Sequence, residues 1–210
     1  MRKIKIFVTL FLLCSFLIQA QQSQIEEKSI SKNYKSDNLE SNLILSRAEQ
    51  WFNSEENAEQ YEIISFDKNK GEMIVEGKTT VLYKNMGKDL YPKRSGMAEV
   101  LEADFGNKIS IQTKNDGYSI GYEVIDMKQE MYKKEELFYN CINFNGIDQE
   151  ELDKYNKAMN KLLKANFVFK KRREIFIENS KSQFEEVSNY LLNEGEVTIY
   201  SINEVIVSDH

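Results

Sequence analysis

The sequence predicts an α+β domain in which helices cover one face of an antiparallel sheet. Three observations lead to this prediction. Apolar residues recur at helical spacing near residues 39–52, alternate with period two in segments between residues 61 and 124, and return to helical spacing after residue 148. A helix, a run of strands and then more helices is the α+β pattern. Residues 21–210 are long enough for one such domain with an ordinary apolar core.

The first twenty residues have the composition of a cleavable export signal. Arg2, Lys3 and Lys5 form a basic start, residues 6–18 are apolar, and Ala20 offers a small residue for cleavage. An apolar run of this length falls short of the roughly 20 residues that span a bilayer as a helix. We therefore expect export to the periplasm or the extracellular space, and no membrane span after the signal is removed.

Two alternatives to cleavage after Ala20 remain open. The segment could stay uncleaved as an anchor, or a lipid could be attached to Cys14. The bulky Leu13 argues against the lipid, because lipoprotein signals usually have a small residue at that position. Cleavage after Ala20 would leave 25 basic and 34 acidic residues, a net charge of −9. Because an acidic surface repels nucleic acid and anionic lipid, we expect no nucleic-acid partner.

Histidine and cysteine are almost absent from the chain. The only histidine is His210, so a catalytic site built on histidine would have to dock the last residue. Zinc sites with two or three histidines are excluded within one chain. After cleavage Cys141 is the sole cysteine and has no disulfide partner. It lies in an apolar segment that predicts a core residue, and the alternative is an exposed nucleophile or an intermolecular bridge.

The first part of the exported chain is predicted to contain a lead-in and a helix. Residues 21–35 are polar and lack a clear period, which predicts a flexible lead-in. The helix is predicted to begin at Asp37, which stands three residues before Glu40 as in a capping box. Its apolar face would comprise Leu39, Leu43, Ile44, Ala48, Trp51 and Phe52.

A strand pair follows the helix. Residues 61–66 and 72–83 are predicted to pair around a turn at residues 67–71. Residues 84–96 contain the only proline and predict a loop or a crossing between strands.

The next pair of strands forms the most strongly predicted hairpin. Residues 108–113 and 118–124 alternate with period two, and Asp116-Gly117 between them is a strong tight-turn signal. We expect residues 100–105 to extend the first arm through a bulge at Gly106.

The C-terminal third changes to helical spacing. Asp148 with Glu151 three residues later predicts a helix over residues 148–166. A second helix is predicted over residues 180–195, with the glycine at its end acting as a cap. Residues 197–207 are rich in β-branched side chains and favour a last strand.

Three segments carry a family resemblance. They are Glu49-Gln50-Trp51-Phe52 at the helix end, Gly-Glu-Met-Ile-Val-Glu-Gly at residues 71–77, and Lys-Asn-Asp-Gly-Tyr at residues 114–118. They resemble an exported Bacteroidota family of unknown function that is described as having a TBP-like fold. The resemblance covers about residues 36–127 as the domain core, with residues 128–210 as a helical extension of the same domain. It implies a curved antiparallel sheet with helices on one face and no established activity, and such a fold does not imply DNA binding.

One basic cluster, Lys170-Lys171-Arg172-Arg173, stands between two aromatic segments, residues 167–169 and 175–177. One interpretation is contact with an acidic headgroup or sugar, with the aromatic rings at the interface. The favoured interpretation is a solvated stretch of helix, partly neutralised by Glu174 and Glu178.

Other polar side chains have two interpretations each. Carboxylates at Glu99, Glu102, Asp104, Glu135 and Glu136 could hydrolyse glycosides in pairs, but nothing in the sequence shows that any pair converges. The tyrosines could line an open ligand-binding sheet face, although burial under helices is favoured; those concerned are Tyr83, Tyr118 and Tyr122.

The leading functional hypothesis is an exported, non-enzymatic envelope protein that binds a ligand or a protein partner. The binding surface would be the sheet face or the loop at residues 84–96. The hypothesis rests on the lack of histidine chemistry, cofactor motifs and metal-ligand clusters, so no catalytic, cofactor or metal residue is assigned. The alternative is a carboxylate-based hydrolase that acts on an envelope polymer.

Overall fold

A computed structural model describes residues 23–36, 39–128 and 135–208 of the chain. Its centre is a curved, six-stranded antiparallel sheet with the order β1-β2-β6-β5-β4-β3. The strands are β1 (Ser23–Ile25), β2 (Ser29–Lys35), β3 (Tyr61–Asp67), β4 (Glu72–Lys84), β5 (Val100–Lys114) and β6 (Gly117–Lys128). The helices are α1 (Ser41–Phe52), α2 (Met86–Leu90), α3 (Glu135–Asn140), α4 (Gln149–Ala165) and α5 (Lys170–Val207). The predicted α+β class is confirmed.

Alternating burial along the strands separates the two faces of the sheet. In β4 and β5 every second side chain is buried against helices, whereas the side chains between them are exposed or half-buried. The open face is mostly polar, although Leu82 and Val100 are also exposed on it, and it carries cross-strand ion pairs such as Lys78–Asp104 (2.9 Å) and Lys108–Glu123 (2.6 Å). The helices therefore cover one face, as the strand pattern predicts.

The two predicted strand pairs are confirmed. β3 and β4 pair across the turn at residues 68–71, and β5 and β6 pair across Asn115 and Asp116. Residues 100–105 extend β5, and the register shifts between Gly106 and Asn107, where the bulge was predicted. Only the loop at residues 84–96 differs in detail, since it contains the short helix α2.

The prediction of a flexible lead-in over residues 21–35 is wrong. Residues 23–25 and 29–35 form β1 and β2, and β2 pairs with β6 along its whole length. Ile30 is fully buried and the Tyr34 ring stacks on Tyr118 at 5.2 Å. Two apolar residues at an even spacing are too weak a local signal to predict a strand. Most of what stabilises β2 is its pairing with β6, which is distant in the sequence.

The helix termini agree with the sequence in one case and differ in another. The Asp148 carboxylate caps α4 and accepts hydrogen bonds from the backbone N–H groups of Glu150 (2.8 Å) and Glu151 (3.3 Å). Helix α1 begins at Ser41 without a side-chain cap, later than predicted. Asp37 lies outside the described residues, as do the predicted export signal and His210. None of the described helices combines the length and apolar composition needed to cross a bilayer.

The predicted helix end at Gly195 and the strand over residues 197–207 are both wrong, because α5 is one helix of 38 residues. Its buried positions recur every three or four residues from Phe176 to Ile206. The buried β-branched residues beyond Gly195 follow this period rather than a period of two, so packing overrides their strand propensity; they are Thr198, Ile199, Ile202 and Ile206.

Gly195 allows α5 to approach the sheet closely. A Cβ atom at this position would lie 2.7 Å from Cδ1 of Tyr122 and 3.2 Å from Cγ2 of Ile30. Tyr122 has little freedom to move, since its ring is buried and its hydroxyl shares a hydrogen bond of 3.2 Å with Thr79. The glycine therefore serves helix–sheet packing rather than helix termination.

We expect Gly195→Ala to destabilise the protein, although alanine is the better helix former. Overpacking against Tyr122 should outweigh the gain in helix propensity and leave a net loss of about 1–2 kcal/mol in the free energy of unfolding. Urea denaturation of the variant and the parent measures this difference in the free energy of unfolding. Asn193→Ala, at an exposed position of the same helical turn, is the control and should be neutral or slightly stabilising. A Gly195→Ala variant as stable as the parent would contradict the packing role.

Candidate functional site

Two regions that the sequence analysis singled out meet at one end of the molecule. They are the loop at residues 84–96 and the basic cluster at the start of α5. Arg172 donates a hydrogen bond from Nη1 to the carbonyl oxygen of Leu90 at 2.6 Å. Gln183 lies about three turns further along α5 and donates a hydrogen bond from Nε2 to the carbonyl oxygen of Lys84 at 2.7 Å. The long helix thus contacts the chain just before α2, at Lys84, and the last residue of α2, Leu90.

Asn85 closes the loop that contains α2. Its Oδ1 accepts from the backbone N–H of Gly87 at 3.0 Å and caps the short helix, while its Nδ2 donates to the carbonyl oxygen of Ala98 at 2.9 Å. Its own backbone N–H donates to the carbonyl oxygen of Glu99 at 2.8 Å. One buried side chain thus joins the start of the loop to its end. We call residues 91–97, which lie between these two joined points, the flap.

An open cavity of about 480 Å³ lies beneath this flap. Its lining residues are Asn85, Arg94, Ser95, Gly96, Met97, Ala98 and Leu101. Arg94 is exposed, and no described residue forms a hydrogen bond or an ion pair with its guanidinium group. Gly96 has φ +79°, and a Cβ atom there would meet open space. The cavity therefore offers a free guanidinium group, a hydroxyl group and an apolar floor.

Sequence reasoning pointed to the loop but not to Arg94. The available signal was the Arg94-Ser95-Gly96 segment close to the only proline. Nothing local shows that the loop folds back over a cavity, because the closure depends on Asn85 contacting residues thirteen positions away.

The four side chains of the basic cluster have different roles. Arg173 donates from Nη1 to the carbonyl oxygen of Val168 at 2.9 Å, and Arg172 contacts Leu90 as described. Lys170 forms an ion pair of 3.7 Å with Glu174. Lys171 is exposed. Arg172 and Arg173 thus stabilise the fold, whereas Lys170 and Lys171 face solvent on the helix, as the favoured interpretation predicts. Contact with an acidic headgroup or sugar stays a prediction.

Two of the five carboxylates proposed for hydrolysis, Glu99 and Asp104, are paired with lysines. Hydrogen bonding to Lys88 lowers the pKa of Glu99, and hydrogen bonding to Lys78 and Thr80 lowers the pKa of Asp104. Glu102 is exposed on the open face of the sheet. Glu135 and Glu136 lie in the first turn of α3, where acidic side chains favour the helix dipole.

The tyrosines of the sheet are core residues. Tyr118 and Tyr122 are buried, and Tyr118 donates a hydrogen bond to Oδ1 of Asn203 on α5 at 2.7 Å. Burial raises the pKa of Tyr122 to about 12. Tyr83 is also buried and packs on Phe138 with a ring distance of 5.3 Å. The interpretation of these residues as an open ligand-binding face is wrong, since helices cover them.

Cys141 is fully buried, as the sequence predicts. Burial, with a smaller effect from Glu151, raises the pKa of its thiol to about 12. A thiol of this kind is protonated at neutral pH and is a poor nucleophile. Within residues 23–36, 39–128 and 135–208, no three histidine, cysteine, aspartate or glutamate side chains are grouped as a metal ion would require.

No family model matches the chain, and no curated protein matches it either. Two similar solved structures come from Bacteroidetes. A DUF4468 family protein from Bacteroides ovatus has a TM-score of 0.39 and 17% sequence identity, and the match covers 52% of this chain and 62% of that one. A TBP-like protein from Parabacteroides distasonis has a TM-score of 0.35 and 15% identity, and the match covers 51% and 60%.

The matched part thus spans about three fifths of each solved structure. One of these structures is described as a DUF family protein and the other as TBP-like. Both descriptions agree with the family that the sequence resembles.

We expect Cys141 to react slowly with a thiol reagent in the folded protein and quickly in denaturant. The native thiol is both inaccessible and protonated, whereas unfolding restores a pKa of about 8.5. The rate of labelling by a chromogenic disulfide at mildly alkaline pH measures this. Cys141→Ala should lose roughly 1 kcal/mol of stability through lost packing. Equal labelling rates in both conditions would show an exposed thiol and restore the nucleophile hypothesis.

Proposed function

We propose that the protein is an exported, non-enzymatic envelope protein that binds a small ligand carrying an anionic group in the Arg94 cavity. The observation that supports this most is the guanidinium group of Arg94, which no described residue binds, at the edge of a cavity of about 480 Å³. Cavities that hold small ligands have volumes of about 300–1,000 Å³ and a few polar groups that fix orientation. A guanidinium group binds carboxylate or phosphate with two parallel hydrogen bonds.

The construction of the cavity supports binding rather than a passive surface irregularity. Asn85 fixes the flap through three hydrogen bonds, and Arg172 and Gln183 tie its base to α5. A flap held in this way keeps Arg94 and Ser95 near one position before a ligand arrives. Preorganisation lowers the entropic cost of binding.

The alternative of a carboxylate-based hydrolase receives no support from the electrostatics of the candidate carboxylates. A glycosidase needs one carboxylic acid whose pKa is raised, so that it is protonated when the leaving group departs. Glu99 and Asp104 have lowered pKa values because lysines donate to them. Both groups are therefore held ionised, which suits surface ion pairs better than general acid catalysis.

We expect Arg94→Ala to weaken binding of an organic anion by about 10–100-fold, as removal of a charge-assisted hydrogen bond does. Isothermal titration calorimetry with a panel of small carboxylates and phosphate esters measures the affinity. Arg94→Lys keeps the charge and loses the planar fork, so it should bind with intermediate affinity. Lys93→Ala, an exposed neighbour in the same loop, is the control and should bind as the parent does.

The proposal is wrong if the whole panel fails to bind, or if the ligands that bind do so equally well without Arg94. Melting temperatures of the Arg94 variants should equal that of the parent, since the side chain contacts no described residue through its guanidinium group.

The export part of the proposal has its own test. Mass spectrometry of the protein from its own cells should find an N-terminus near Gln21, because the signal peptidase would cut after Ala20. A processed N-terminus that carries lipid at Cys14 would replace the soluble form with an anchored one. A main species that begins at Met1 and lies in the cytoplasm would contradict export.

A further inference from the structure

The turn between α4 and α5 presents two phenylalanine side chains to solvent. Phe167 is 93% exposed and Phe169 is 77% exposed, although most other large apolar side chains of the described chain are buried or half-buried. A ring exposed to this degree projects from the surface and does not line a groove. Isolated exposed apolar residues are common, but two adjacent rings at a turn require a further explanation.

The turn is ordered, so the rings are held in their exposed position. Val168 between them is buried, its N–H donates to the carbonyl oxygen of Leu163 at 3.0 Å, and its carbonyl oxygen accepts from Arg173 at 2.9 Å. Phe167 has φ +58°, a backbone conformation that bulky side chains rarely adopt. A glycine would fit this position with less strain, and the ring contributes nothing to the core.

The same region has a strong local excess of positive charge. Residues 154–173 contain eight basic residues and no acidic residue, whereas the whole chain has a net charge of −6. Lys154 pairs with Glu150 and Glu151, and Lys170 pairs with Glu174. The exposed side chains of Lys157, Lys161, Lys164 and Lys171 have no ion-pair partner among the described residues.

The acidic groups of the adjoining element do not cancel this charge. Arg172 joins the turn to α2, whose Asp89 forms an ion pair with Lys84 at 2.6 Å. Glu99, at the end of the same loop, pairs with Lys88. The free lysines therefore face solvent without a compensating carboxylate from the flap.

We propose that the basic-aromatic corner, formed by Phe167 and Phe169 with Lys161, Lys164 and Lys171, docks the protein on an anionic lipid surface. The rings enter the boundary between headgroups and acyl chains, and the lysines contact lipid phosphates. A projecting tip suits a fluid surface that can deform around it. A folded protein partner would need a pocket that matches two protruding rings. The proposal rests on charge complementarity and exposure, and it is independent of the Arg94 cavity.

The general repulsion between an acidic protein and anionic lipid does not oppose this docking. Screening confines the interaction to charges within about 10 Å of the surface at moderate salt. The charges nearest the rings along the chain are mainly basic, because residues 154–173 contain eight basic residues and no acidic residue.

The test is co-sedimentation of the protein, purified with its processed N-terminus, with two kinds of vesicle. Phosphatidylcholine vesicles should bind little, and vesicles that also contain phosphatidylglycerol should bind at low salt and release the protein at high salt. Phe167→Ser with Phe169→Ser should weaken binding at least about tenfold, since it removes both apolar anchors. Lys161→Gln, Lys164→Gln and Lys171→Gln together should weaken binding and reduce its salt dependence.

Matched controls separate the corner from the rest of the surface. Tyr190→Ser with Tyr200→Ser replaces two exposed aromatic residues elsewhere on α5, and Lys35→Gln with Lys128→Gln replaces two exposed lysines of the sheet. Both variants should bind as the parent does. Phe167→Gly should keep or raise the melting temperature, because glycine favours positive φ, while it weakens vesicle binding.

A fluorescent probe tests insertion directly. In Phe169→Trp, the new indole should shift its emission to the blue on anionic vesicles and be quenched by brominated acyl chains. Trp51, which packs on Phe52 at 4.9 Å, supplies a constant background in the parent protein. The proposal is overturned if anionic vesicles fail to bind, if the phenylalanine pair can be replaced without loss, or if the corner binds a protein and no vesicle.

Discussion

The close approach of α5 to the sheet at Gly195 determines where the rest of the structure can lie. The missing side chain lets the helix rest against Tyr122 and Ile30, so its buried face contacts β2, β4 and β6 together. A helix of 38 residues is about 57 Å long, which exceeds the width of its contact with the sheet. Its N-terminal part therefore reaches past the strands, where it supports α2 and packs on α4. The flap and the basic-aromatic corner both depend on this placement.

Polar contacts, one of them buried and two partly buried, help to fix the position of α5 along the sheet. Tyr118 donates to Asn203, Arg47 of α1 donates to the carbonyl oxygen of Ile206, and Gln183 donates to the carbonyl oxygen of Lys84. These bonds lie at three positions along the helix. A shift by one turn would break the buried bond between Tyr118 and Asn203, at a cost of about 1–3 kcal/mol for a buried polar group left without a partner. The direction in which the N-terminal part of α5 projects is set in this way.

The elements that the sequence predicts correctly are those specified by neighbouring residues. Asp116-Gly117 defines its hairpin and Asp148 caps α4 within three residues. The elements that it misses depend on distant partners. β2 has only two buried apolar residues and is stabilised by pairing with β6. The packing role of Gly195 depends on Tyr122, which is distant in the sequence. The candidate site follows the same rule. Local sequence identifies the loop and the basic cluster, whereas the Arg94 cavity and the hydrogen bond between Arg172 and Leu90 require the folded chain.

Charge and position together relate the two proposed binding surfaces. The basic-aromatic corner leads with residues 154–173, which contain eight basic residues and no acidic residue in an otherwise acidic chain. Arg172 ties α2, at the base of the flap, to the start of α5. Docking and ligand binding remain separable, because the corner uses lysines and phenylalanines of the α4–α5 turn and the cavity uses Arg94 of the flap. Docking would favour ligand binding only for an anionic group that the lipid itself carries, because a free anion is depleted near an anionic surface.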